Sequence, residues 1–301
     1  MNQPPAQSIM AKRKKIRLRG RDRAAAYIGG AAVLLLLITL IVVRWGRAGD
    51  QEAQTPENEI ESSVVEWSEK VTSLLWLINT EHILPQSYVP EGLEALPNSN
   101  VQVVEEAGRA FLRMVQDMDT PVYAANGYIS AAAQQNLYDT KRQEYLDAGY
   151  SEERTNMVIV DEYFPGGADE HQLGLTIDVC TEASLNLDYD FALTPQGQWL
   201  KEHAWEYGFI FRQTEGAPKI YKPWQLRYVG ETHAAIMQEL DLCLDDYLAY
   251  LADKGTSYFS DVGAMHLDLI VYFTDSLSEI PLKIREVSGD NNGHYIVVCY
   301  R

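Results

Sequence analysis

Apolar residues recur at spacings of three and four in two early segments. The first set is Val64, Trp67, Val71, Leu74 and Ile78; the second is Val104, Ala107, Phe111, Met114 and Met118. That spacing gathers each set on one face, so both segments are predicted to be amphipathic helices. Pro85, Pro90 and Pro97 break the chain between them. From Val122 the texture changes. Short apolar runs such as MVIV (157–160) and LTIDV (175–179) predict strands, separated by Gly- and Asp-rich turns. Helices return over Pro195–Tyr207 and Glu231–Leu242. Past Gly255, HLDLIVYF (266–273) and YIVVCY (295–300) read as strands, and Asn-Asn-Gly between two extended runs signals a hairpin. Helices followed by mixed strands and helices predict an α+β domain over 63–254, with a small β appendage over 255–301. No internal repeat is visible.

Ala24 to Val43 is an uncharged, mostly apolar run of 20 residues. As a helix it would span roughly 30 Å, the thickness of a hydrocarbon core. The cluster AKRKKIRLRGRDR precedes it, and Arg44 and Arg47 follow. A cleaved signal peptide would have a shorter apolar core ending in small residues. The expectation is therefore an uncleaved transmembrane anchor at 24–43, a basic cytoplasmic head at 1–23 and a polar linker at 44–62. By the positive-inside rule the C-terminal body lies outside a cell membrane crossed once.

The net charge of −18 over 301 residues is unevenly split. Residues 1–47 hold ten Lys/Arg and one acid, Asp22. That leaves 15 Lys/Arg against 42 Asp/Glu, a net of −27, for the remainder. So acidic a body argues against a nucleic-acid partner, because phosphate contacts need Lys and Arg. Cys180, Cys243 and Cys299 lie far apart and form no zinc spacing. Buried apolar thiols are the favoured reading, and one disulfide stays open.

The stretch EHQLGLTID (170–178) places His171 and Asp178 seven residues apart with Gly174 between them. A turn leading into a strand can bring both side chains to one point, and both are standard zinc ligands. Alone, that spacing is weak. Its surroundings resemble the VanY-type zinc D,D-carboxypeptidases in several ordered segments: WLINTEHILPQSYVP (76–90), NGYISAAAQQNLYD (126–139), WLKEHAWEYGFIFR (199–212) and KPWQLRYVGETHA (222–234). The resemblance covers roughly Leu74 to Leu251.

It implies a VanY-like fold, removal of the terminal D-alanine from peptidoglycan stem peptides, and a zinc held by His, Asp and a second His. It also implies a Glu as general base and an Arg near the substrate carboxylate and developing oxyanion. Onto this chain the first two ligands carry over as His171 and Asp178. The third-ligand position is Gln225, the general-base position is Lys222 and the arginine position is Ile129. Asp169 stands where the family has Ser. Tyr128, Gln135, Asp169 and Trp224 are the candidate substrate-binding residues. An amide is a poor zinc donor, an ammonium accepts no proton, and Ile129 offers an oxyanion no hydrogen bond.

No intact catalytic set is therefore expected, and zinc should be absent or weakly held. His203, His233, Glu231 and Glu170 are conceivable stand-ins. The first reading is a non-catalytic relative that binds stem peptide or an envelope partner. The alternative is an active D-Ala-D-Ala metallocarboxypeptidase with an atypical zinc site, and a third is a purely structural role. If an ammonium fills the vacated metal site, Lys222 should pair with Asp178 or Asp169.

Overall fold

The computed structural model describes residues 71–160, 162–182, 187–212, 222–281 and 283–301. The expected anchor, the linker and the first part of the 64–78 helix lie outside them. Among the described residues no helix is long and apolar enough to cross a membrane.

A short antiparallel ribbon, β1 (Leu93–Ala95) with β2 (Gln102–Val104), runs into helix α1 (Glu105–Asp117). The central sheet is antiparallel, in the order β3 (Tyr123–Asn126), β4 (Thr176–Cys180), β6 (Gln225–Tyr228), β5 (Phe209–Phe211). Between β3 and β4 come α2 (Ala131–Asp147), α3 (Glu152–Ile159) and a 3₁₀ turn, Glu170–Leu173. Between β4 and β5 comes α4 (Pro195–His203), continued by a 3₁₀ turn, Ala204–Tyr207. Helices α5 (Glu231–Leu240) and α6 (Leu244–Lys254) then lead to a second antiparallel sheet. Its strands are β7 (Thr256–Val262), β8 (Leu267–Thr274), β9 (Ile284–Gly289) and β10 (Tyr295–Tyr300), in the order β7-β8-β10-β9.

The apolar stripe of α1 behaves as its spacing demands. Ala107, Phe111 and Met114 are buried against Ile177 and Val179 of β4, Phe209 and Leu226. Each such large side chain removed from water contributes about 1.5–3 kcal/mol. A second core joins α5 and α6 to the C-terminal sheet through Ile236, Met237, Tyr247, Leu269, Val271 and Ile296.

Two expectations fail. Residues 157–160 are not a strand but the end of α3. Ser151 caps that helix by accepting from Arg154 N, and Glu152 and Glu153 occupy its first turn. Cap and helix dipole favour the helix, which buries Ile159 but leaves Met157 68% and Val160 46% exposed. The described part of the 64–78 segment, 71–78, is not helical either. Thr72 bridges Ser288 in parallel, and Leu75 N donates to Ser288 Oγ at 3.0 Å. Ile78 is buried as expected, but Leu75 is buried in place of Leu74, which with Val71 is only half-buried.

Candidate functional site

Strand register assembles the site. In the central sheet Asp178 stands opposite Gln225 on one side and Asn126 on the other. Directly opposed residues project to the same face, so the three side chains form a row across β3, β4 and β6. Asn126 Nδ2 donates to Asp178 Oδ2 at 3.0 Å, and Gln225 Nε2 donates to Oδ1 at 3.2 Å.

His171 enters from the 3₁₀ turn before β4. Asp169 caps the turn by accepting from His171 N at 2.9 Å. Gly174 closes it at φ +67°, in the left-handed region, where a Cβ would come 2.9 Å from Leu93 Cδ2. The ring is oriented by Nδ1, 2.7 Å from the carbonyl oxygen of Gly127. A Cβ on Gly127 would sit 2.4 Å from Gln102 O, so only glycine brings that carbonyl so close. With Nδ1 committed as donor, Nε2 faces the row: it lies 3.3 Å from Asp178 Oδ2 and 3.2 Å from Gln225 Nε2.

His171 and Asp178 are both buried. Burial alone would push the His171 pKa down. The charge and hydrogen bond of Asp178, the charge of Asp169 and the Gly127 carbonyl outweigh it and raise the value to about 9. Burial likewise opposes ionisation of Asp178. His171, the Asn126 hydrogen bond and the Lys222 charge overcome it and lower its pKa.

Beneath the turn lies a charge network that no local spacing announces. Glu170 is buried rather than solvent-facing, and it receives Arg212 Nε. Arg212 also reaches Asp245 at the start of α6. Arg227, fully buried on β6, holds its Nε 3.8 Å from Glu170 Oε2 and donates through Nη2 to the carbonyls of Leu74 and Trp76. Burial lowers the Arg227 pKa to about 10, partly offset by Glu170. Two cations and two anions balance, and they tie the His171 turn to β6, α6 and the 71–77 segment.

The structure thus brings His171, Asp178 and Gln225 together, with Ile129 beside them through its N–H to His171 O at 3.3 Å. Tyr128 follows Gly127, its N–H given to Gln102 O. Trp224 is half-buried with its ring edge-on to Tyr189. Gln135 lies on α2, where it accepts from Gly166 N and donates to Asp139. Lys222 does not pair with Asp178 or Asp169: no such ion pair is formed among the described residues. Its charge acts on Asp178 only through space, because the amides of Gln225 and Asn126 already take the carboxylate. The stand-ins are elsewhere: His203 pairs with Glu206, His233 is buried against Tyr247, Glu231 pairs with Arg113 and Glu170 with Arg212. Asn126 was missed, although it sits immediately before Gly127 in a segment already singled out.

Does the site suit zinc? His171 Nε2 lies 3.3 Å from Asp178 Oδ2, while Gln225 Nε2 lies 3.2 Å from His171 Nε2 and 3.2 Å from the other carboxylate oxygen, Oδ1. Ligand atoms about 2.0–2.1 Å from a tetrahedral zinc lie roughly 3.3 Å from one another, so the His171–Asp178 edge has the right dimensions. The third corner has the wrong chemistry. Asp178 is an acceptor, so Gln225 turns its NH₂ inward, and that nitrogen has no lone pair for a metal. Among the described residues no three His, Cys, Asp or Glu gather around a metal position. The residues present do not fit the catalytic zinc of the resemblance.

A central antiparallel sheet carrying a His–Asp pair fed from a glycine-closed turn agrees with the resemblance to the zinc D,D-carboxypeptidases. The VanY family model, described as D-alanyl-D-alanine carboxypeptidase, matches residues 100–231. The chain is 31% identical to a putative carboxypeptidase, YodJ, of Bacillus subtilis, over 58% of this chain and 67% of that protein. It is 29% identical to a D-alanyl-D-alanine carboxypeptidase of Enterococcus faecium, over 83% of this chain and 82% of that one. A solved structure described as VanYB in complex with D-alanine-D-alanine is similar at 27% identity and a TM-score of 0.51, covering 58% of this chain and 97% of that one. The chain belongs to the VanY family of D-alanyl-D-alanine carboxypeptidases.

Proposed function

We propose that this domain is a non-catalytic VanY homologue that holds a peptidoglycan stem peptide, or an envelope partner presenting similar chemistry, without cutting it. One observation carries the reading: Gln225 fills the third-ligand corner with an N–H donor aimed at Asp178. Lys222 in place of a general base and Ile129 in place of an oxyanion donor support it. Losing one preorganised donor alone typically lowers the rate about 100- to 1,000-fold, and here ligand, base and donor all differ. The D-Ala-D-Ala bound in the VanYB structure supports stem peptide as the occupant. We further place the domain outside a cell membrane, anchored through Ala24–Val43 with residues 1–23 inside.

A second reading, an active metallocarboxypeptidase with an atypical zinc site, is favoured by the ligand-like spacing of His171 and Asp178. One experiment separates the two. The purified full chain is assayed for zinc content, for D-alanine release from a pentapeptide ending in D-Ala-D-Ala, and for binding of that peptide by calorimetry. Binding with no release and less than stoichiometric zinc is expected. Near-equimolar zinc, with release abolished by His171→Ala, establishes the second reading. Neither binding nor release removes stem peptide as the ligand.

A further inference from the structure

We propose that Gln225 stands in for the metal: its side-chain amide, with Asn126 and the His171 ring, gives Asp178 the hydrogen bonds a cation would otherwise supply, so the site is complete without zinc. This deepens the non-catalytic reading of the site and rests on it, but not on any ligand of the cleft.

The carboxylate is the centre of the argument. Asp178 is 6% exposed, and a buried carboxylate persists only when charge and hydrogen bonds compensate its lost water. In a metallopeptidase that compensation is the metal. Here Oδ1 accepts from Gln225 Nε2 at 3.2 Å, and Oδ2 accepts from Asn126 Nδ2 at 3.0 Å and faces His171 Nε2 at 3.3 Å. Both oxygens are served.

The sheet makes this arrangement stiff. Asn126 and Gln225 are the cross-strand neighbours of Asp178 on its two sides, so backbone ladders hold each amide beside its own oxygen. The Gln225 amide faces two groups at 3.2 Å, Asp178 Oδ1 and His171 Nε2. Reversed, its Oε1 would meet Asp178 Oδ1 acceptor against acceptor, and the hydrogen bond it gives the carboxylate would be lost. An incoming zinc needs that oxygen inward, so it must break the Gln225–Asp178 hydrogen bond before gaining a third ligand. It must also approach within the field of Lys222, which already reaches Asp178. The His171–Asp178 edge nevertheless keeps ligand dimensions. The chain is therefore one side chain from a three-ligand site: Gln225→His puts an imidazole where the amide is.

The test uses the full chain and zinc chloride. Zinc affinity is measured by competition with a chromophoric chelator, and melting is followed with excess zinc and with EDTA. The natural protein is expected to take no stoichiometric zinc, and its Tm to be indifferent to zinc and to EDTA. Gln225→His is expected to bind one zinc per chain, with an affinity gain on the order of 100-fold or more, since outer partners of a ligand alone are worth about 10- to 100-fold. It should melt higher with zinc, yet release no D-alanine, because Lys222 and Ile129 remain. A natural chain that binds one zinc as tightly as Gln225→His, or that melts lower in EDTA, overturns the proposal. So does a folded Gln225→His that gains no affinity. If that variant does not fold, the natural chain decides through side-chain amide NMR. Gln225 and Asn126 NH₂ protons should exchange slowly and stay unmoved by zinc; exchange at the rate of exposed amides overturns the proposal. Peptide binding enters neither readout. A chain that binds no stem peptide leaves this result standing, and a chain that takes zinc refutes it whether or not it binds peptide.

Discussion

Replacing Glu170 by alanine should destabilise the domain far more than removing an ordinary ion pair. The Glu170 side chain is 9% exposed and Arg212 10%, while Arg227 is fully enclosed. Among the described residues Glu170 is the only ion-pair partner of Arg227. Without it, Arg212 keeps Asp245, but Arg227 retains only the carbonyls of Leu74 and Trp76. Breaking a buried pair from one side costs about 3–5 kcal/mol, because a charge is left desolvated. At about 2–4 °C per kcal/mol for a domain of this size, Tm should fall by about 6–20 °C. The control is Glu105→Ala, which removes the exposed partner of Arg109 and should cost about 0–1 kcal/mol. Melting of the full chain by circular dichroism measures both. Adding Arg227→Met to Glu170→Ala should recover part of the loss, since the stranded charge goes with it. A Tm within about 2 °C of the natural protein, or a cycle without coupling, would show that the network does not hold the His171 turn.

Two further predictions concern buried titratable groups. His233 is buried with Nδ1 against Tyr247 OH; burial lowers its pKa, against the opposing pull of Glu286. The unfolded chain takes this proton near pH 6.5 and the folded chain resists it, so the stability tied to His233 is present above about pH 6.5 and lost as pH falls below it. Tm should therefore drop more between pH 7.5 and 5.5 in the natural protein than in His233→Gln, and equal drops would remove the assignment. All three thiols are free, Cys180 and Cys299 buried and Cys243 half-buried beside Asp246. Burial pushes the Cys299 pKa up to about 11. An aromatic disulfide reagent should find one fast thiol, lost in Cys243→Ser, and all three only after unfolding; three fast thiols in the native chain would contradict the packing.

Much of the site could be read from the chain because its spacing is local. His171 and Asp178 are separated by one turn and one strand, so their convergence needs only the Gly174 reversal. Helix α1 and strands β8 and β10 were legible for a similar reason, since one apolar period ran unbroken through each. Other parts were hidden because their determinants are distant. Asn126 joins the row only through the β3–β4 register. The burial of Glu170 depends on Arg212 and Arg227, dozens of residues downstream. Helix α2 escaped notice because only Ala131 and Gln134 of its 17 residues are buried, which leaves no apolar stripe to detect. Lys222 was expected to neutralise Asp178, but two neutral amides had better strand positions.

The Thr72–Ser288 bridge has a consequence for when this fold can come into being. Thr72 Oγ1 donates to Val287 O across 215 residues, and Leu75 N donates to Ser288 Oγ across 213. On a ribosome the first partner waits while more than 200 further residues are made before the second exists. Loop closure over such a span is entropically late, and contacts of this range slow folding. The carbonyls of Leu74 and Trp76 that receive Arg227 belong to that waiting segment. The buried arginine therefore finds its backbone acceptors only once β9 has been synthesised and docked. Maturation of the site is timed by the making of β9 rather than by the making of its own residues.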